Sequence, residues 1–224
     1  MFLGHFAVAM AAKRAAPRVS LGAMFAAAQW PDLLWPVLLL LRVERVSVAP
    51  GDTAFTPLRF DSYPISHSLV ATLGWAIAGA MLWWLLRRDA RGAGVIGALV
   101  LSHWLLDALT HRPDLPLAPW SDTRIGLGLW GSVPLTVAVE LLLFAAGAGI
   151  WLRNDGPRQG RRVAAWSLIA FLLVIYFMNV FGSPPPSSTA VAWVTLSMWL
   201  LVGWAWAADR GGRENTQGRQ LRRP

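Results

Sequence analysis

Between residues 20 and 208 the chain is a succession of apolar runs, each about twenty residues long, separated by short polar segments. A helix rising 1.5 Å per residue needs roughly 20 such residues to cross the hydrocarbon of a bilayer. Short of a closed barrel, no other element satisfies its own backbone there. Six runs have that length: about 20–41, 64–86, 92–111, 126–152, 163–182 and 190–208. They predict an all-α fold, a polytopic membrane helix bundle, as a single transmembrane domain over residues 1–208. Charged residues make up only 14% of the chain, against roughly a quarter in soluble domains. The first twelve residues, "MFLGHFAVAMAA", are too short to cross and predict a re-entrant or interfacial helix. Lys13, Arg14 and Arg18 follow that run, whereas a signal peptide carries its basic residues ahead of it.

The basic residues set an orientation. Of the 20 Lys and Arg, only Arg42, Arg45, Arg59, Arg112 and Arg124 fall between spans on one side. The rest gather on the other, in Lys13–Arg18, "RRDAR" (87–91), "RNDGPRQGRR" (153–162) and the tail. The positive-inside rule makes the crowded side cytoplasmic, which predicts an inner-membrane protein with both termini in the cytoplasm and an even number of spans. The net charge of +8 is then topological: residues 209–224 predict a basic, disordered cytoplasmic tail, and no nucleic-acid partner is expected. The absence of cysteine excludes disulfides and thiolate metal sites. Segment 42–63 reads as an irregular or short-strand excursion, and 112–125, rich in Pro and Asp, as a cap over a cavity.

An ionisable side chain inside a span is costly and marks a functional site by default. Here the set is Asp32, His67, His103, Asp107, His111 and Glu140, with His5 in the amino-terminal segment. In "HWLLDALTH" (103–111), His103, Asp107 and His111 follow one another at i, i+4 steps and share one helix stripe. An imidazole and a carboxylate one turn apart can reach one cation. The same stripe also suits a water-filled cavity or hydrogen bonds between helices. Asp32 lies in "QWPDLLWP", where Pro31 and Pro36 interrupt the first span. Counted from the cytoplasmic end, Asp32 falls at roughly 18 Å, His103 at roughly 17 Å and Asp107 at roughly 23 Å, so the three can meet. His67 opens the second span at its outer end. Glu140, at mid-depth in the fourth span, reads as a ligand, a general base or a protonated packing residue. Asp61, Asp114 and Asp122 fall in outer loops, where solvation is expected.

The order of "GH" near the start, "PD" after a small-residue stretch, "SHSL" opening a span, and then "HWLLDALTH" resembles the LexA-regulated, membrane-bound predicted metal-dependent hydrolases. More distantly, it is similar to zinc-dependent phospholipase C-like proteins. The likeness covers roughly residues 1–120. It implies His5, Asp32, His67, His103 and Asp107 as metal ligands, with His111 close by. The chain departs from the pattern at Leu34, where members often carry a second acidic residue.

His and carboxylate donors without thiolate suit Zn²⁺, with Mn²⁺ or Fe²⁺ also served by the set. The expected function is a membrane hydrolase acting on an ester or phosphoester, with a membrane lipid as the candidate substrate. Asp32 and Glu140 are the candidate catalytic carboxylates. Two other classes fit the same residues: an ion- or proton-coupled permease using Asp32 and Glu140, and a structural or regulatory membrane protein.

Overall fold

Among the described residues, five helical segments are long and apolar enough to cross a membrane, and a bent pair makes a sixth if it is taken as one span. The computed structural model describes residues 1–154, 156–157 and 159–209. Uninterrupted spans are α5 (Leu69–Arg87), α6 (Ala90–Thr110), α7 (Val133–Asn154) and α8 (Arg162–Phe181), following the short α1 (Leu3–Ala12), α2 (Leu21–Ala28), α3 (Trp30–Leu40) and α4 (Pro64–His67). The last span, Ser188–Asp209, is divided at Ser197 into α9 (Ser188–Leu196) and α10 (Met198–Asp209). The fold is thus the all-α membrane bundle that the apolar runs predict. The tail expected over 210–224 lies outside the described residues.

The first span, expected as one unit over 20–41, is broken: α2 and α3 meet at 57°. Pro31 causes the break, because it cannot donate a backbone hydrogen bond and its ring crowds the preceding turn. It is well placed at the start of α3, where a free N–H is not needed. Ser20 caps α2 by accepting the Ala23 amide. The second span is shorter than expected, since Ser68 adopts an extended conformation (ψ 150°) that separates α4 from α5. The fourth begins only at Val133, because residues 126–132 form a loop and a short 3-10 turn.

α1, expected as a re-entrant or interfacial helix, does not lie at the surface of the bundle: it is packed within it on α7, α2 and α6, with Leu3, His5, Phe6, Ala7, Ala9 and Met10 buried. Its amino-terminal end points inward: the Met1 amino group donates to Asp107 Oδ1 at 2.6 Å. Its other end reaches the basic side, where Lys13 Nζ is 2.7 Å from Asp209 Oδ2. The first residues therefore sit inside the bundle. Gly147 on α7 makes this possible, since a Cβ there would come within 2.2 Å of the Ala7 carbonyl oxygen. Backbone cannot yield to that contact, so only glycine lets the two helices approach so closely.

Among the described residues, the side away from the basic end carries two antiparallel hairpins, β1 (Arg45–Val48) with β2 (Leu58–Ser62) and β3 (Leu115–Pro116) with β4 (Arg124–Ile125). The short-strand reading of 42–63 is realised in the first. A second apolar cluster of Trp35, Val46, Tyr63, Trp104, Leu115 and Val191 lies beneath them, apart from the main core around Phe6, Phe25, Trp151 and Leu172.

Candidate metal centre

Four helices and the α2–α3 break converge on one polar cluster. His103 and Asp107, one turn apart on α6, bring Nε2 and Oδ2 to 3.1 Å. From α1, His5 stacks its ring on His103 with centroids 3.8 Å apart, and its Nε2 lies 3.1 Å from Asp107 Oδ1. From the end of α4, His67 Nε2 lies 3.3 Å from Asp32 Oδ1 and 3.8 Å from Asp107 Oδ2. Asp32, in the first turn of α3, closes the ring at 3.8 Å from His103 Nε2. Four of the five side chains are almost fully buried, while Asp32 keeps 25% of its side chain exposed and marks the open side.

The hydrogen bonds leave room for a cation among these groups, beside the Met1 ammonium that already meets Asp107 Oδ1 at 2.6 Å. His103 Nδ1 is 2.7 Å from the Ala28 carbonyl, which can only accept, so Nδ1 carries the proton. In a neutral ring Nε2 is then a lone pair, and among the described residues it has no hydrogen-bond partner. The carbonyl is free because of the break: in a continuous helix it would accept from the Asp32 amide. His67 repeats the pattern. The Ser66 hydroxyl donates to Glu44 Oε2 at 2.6 Å, so its oxygen accepts from His67 Nδ1 at 2.7 Å. Two imidazoles thus turn lone pairs toward two carboxylates, which repel unless a proton or metal ion stands between them.

The spacing fits a metal. Ligand atoms 2.0–2.1 Å from a tetrahedral zinc lie roughly 3.3 Å from one another, close to the 3.1–3.8 Å found here. Two groups, His5–His103–Asp107 and Asp32–His67–His103, each place one ligand atom per residue within 4.8 Å of the others.

Two residues expected at the site are elsewhere. α6 ends at Thr110, and His111 leaves the helical path (φ −63°, ψ 145°), so its side chain quits the stripe. Its Nδ1 donates to Asp114 at 2.9 Å, and its ring packs on Trp130 with centroids 4.2 Å apart. Asp114 is not solvated as a loop carboxylate would be: it also accepts from Tyr63 (3.0 Å) and Arg112 (3.2 Å). Glu140 faces α1 and not the cluster. Its Oε2 accepts from the amides of Phe2 (3.0 Å), Leu3 (2.5 Å) and Gly4 (3.3 Å), which a helix start leaves without partners. Glu44 and Ser66, which hold His67 from behind, are not among the residues that the sequence marks out. The available signals were the serine of "SHS" and an acidic residue between Arg42 and Arg45.

Burial pushes His111 below its ordinary value, so the ring is neutral at pH 7. Burial would raise Asp114, but hydrogen bonds from His111, Tyr63 and Arg112 outweigh it and hold the carboxyl below its usual range. For a histidine lowered in the folded state, stability is fully present above the unfolded value near 6.5 and is lost as pH falls through the folded value. The melting temperature in detergent is therefore expected to drop between pH 7 and 5, with a flatter profile for His111→Gln. Parallel profiles for the two proteins would remove His111 as a source of the pH dependence.

Comparison with known proteins adds one family. A family model described as YdjM inner membrane protein matches residues 1–210. No curated protein and no solved structure matches the chain. The family's description covers the membrane and is silent on hydrolysis and zinc.

Proposed function

The chain belongs to the YdjM inner membrane protein family, and we propose that it serves there as a metal-dependent hydrolase of an ester or phosphoester, with a membrane lipid as substrate. The observation that carries this reading is the set of imidazole lone pairs turned on Asp32 and Asp107, with the outer nitrogens of His67 and His103 already committed to Ser66 and Ala28. His5, His67, His103 and Asp107 would hold the ion. His103 stands in both metal-capable groups and would be the shared ligand of one ion. A bound Zn²⁺, or Mn²⁺ or Fe²⁺, would supply Lewis acidity toward a carbonyl or phosphoryl oxygen and an acidified water.

The chain's own residues divide the remaining work. Asp32, at the open side, is the carboxylate placed to take a proton from incoming water. The buried remainder excludes bulk water and keeps the donors fixed. The permease reading loses its second carboxylate, since Glu140 is spent on α1 amides. We place the basic end of the bundle in the cytoplasm by its charge, which opens the centre toward the outer half of the bilayer.

The test is elemental analysis of the detergent-purified protein, with release of head groups from ester- and phosphoester-linked lipids in mixed micelles. About one transition metal per chain is expected, with turnover lost on chelation and restored by zinc. Protein that holds no stoichiometric metal, and whose melting temperature ignores chelator, would sink the proposal.

A further inference from the structure

Glu44 lies in the loop after α3, outside every apolar run, yet it is 1% exposed. A buried carboxylate persists only where its charge is met by donors. Its Oε1 accepts from the amides of Ile65 (2.8 Å) and Ser66 (2.9 Å), and its Oε2 from the Ser66 hydroxyl (2.6 Å). Ser66, fully buried, passes the arrangement on by accepting from His67 Nδ1 at 2.7 Å. The chain of groups runs carboxylate, hydroxyl, imidazole. That order differs from a nucleophilic triad, in which the imidazole stands between acid and hydroxyl and takes the hydroxyl proton. Here the hydroxyl proton goes to Glu44, and the hydroxyl oxygen is spent on the ring, so Ser66 is not a nucleophile.

We infer that Glu44 and Ser66 are positioning residues of the metal centre, which fix the Nδ1–H tautomer of His67 and aim its Nε2 at the ion. The inference rests on the metal-centre reading above. His67 needs such support more than its partners do. It ends the four-residue helix α4, just before the extended break at Ser68, so no continuous helix holds it as α6 holds His103. Two amides and a hydroxyl anchored on one carboxylate make this short turn rigid. An imidazole whose outer N–H is fixed by a hydrogen bond is a better-oriented and more basic ligand.

The experiment measures zinc affinity by competition with a chromophoric chelator, on the full chain purified in detergent and stripped of metal. Wild type is measured first, and each variant is checked for a monodisperse size-exclusion profile. Ser66→Ala and Glu44→Gln are expected to weaken zinc binding roughly 10- to 100-fold, while Ser66→Thr, which keeps the hydroxyl, stays near wild type. Because the two residues act through His67 alone, Ser66→Ala should cost nothing further in a His67→Ala background. A residue with a merely structural role would cost the same in both backgrounds, and that result overturns the inference. So would unchanged affinity in Ser66→Ala and Glu44→Gln when wild type binds zinc. A wild type with no zinc affinity overturns the metal centre itself.

Discussion

Alanine at His103 or at Asp107 is expected to leave the purified protein without its metal, lowering the content from about one ion per chain to near none. His103 stands in both metal-capable groups, and Asp107 meets the Met1 amino group and His5 on Oδ1 and His103 on Oδ2, with His67 near the second oxygen. Losing a group that merely orients a ligand costs 10- to 100-fold in affinity, so losing a ligand should cost roughly 100-fold or more. Stability separates the two variants. Zinc at about a hundred times its dissociation constant should stabilise wild type by roughly 2.7 kcal/mol, and neither variant should respond. In the metal-free protein, Asp107→Ala also strips a buried carboxylate from the groups that face it, a loss of about 3–5 kcal/mol for a broken buried pair. His103→Ala removes one of the repelling lone pairs and should be milder. Elemental analysis and thermal unfolding with and without zinc read all of this. Variants that keep a full equivalent of metal would refute the assignment of these ligands.

Glu140→Ala is expected to unfold the protein at markedly lower temperature, whether or not metal is present. Three amides at the start of α1 would lose their acceptor at a depth where no water can replace it. At about 1–3 kcal/mol for each stranded group, the loss comes to roughly 3 kcal/mol or more. Glu140→Gln keeps a carbonyl oxygen and should fall between wild type and alanine. Metal affinity should weaken secondarily, because α1 carries His5. The same variant distinguishes a capping carboxylate from a catalytic one. Wild-type melting with abolished lipid hydrolysis would return Glu140 to the role of general base.

These expectations rest on features of unequal visibility in the sequence. The spans followed from run length because the bilayer imposes one length on every crossing helix. Depth, counted at a fixed rise per residue, placed Asp32, His103 and Asp107 at similar levels, and the structure has them within a few ångströms of each other. Counting could not follow His111, since the stripe argument assumes a helix that in fact stops one residue earlier. His5 was legible only through the order of family-like motifs. Its position depends on how closely α1 can approach α7, a contact set by Gly147 more than a hundred residues away. Glu44 resisted reading for a different reason: a loop carboxylate beside arginines has the composition of a solvated one, and only tertiary packing buries it.

The inward placement of α1 also bears on how such a protein is made. α1 leaves the ribosome well before α7, whose Glu140 and Gly147 receive it. At 5–20 residues per second, translation of the intervening 130 or so residues takes roughly 6–25 s. Over that interval α1 is apolar, too short to span, and without an acceptor for its first amides. Its packing on α2 and α6 does not depend on α7, but its socket is complete only once α7 is in place, after the other four cluster residues have been synthesised.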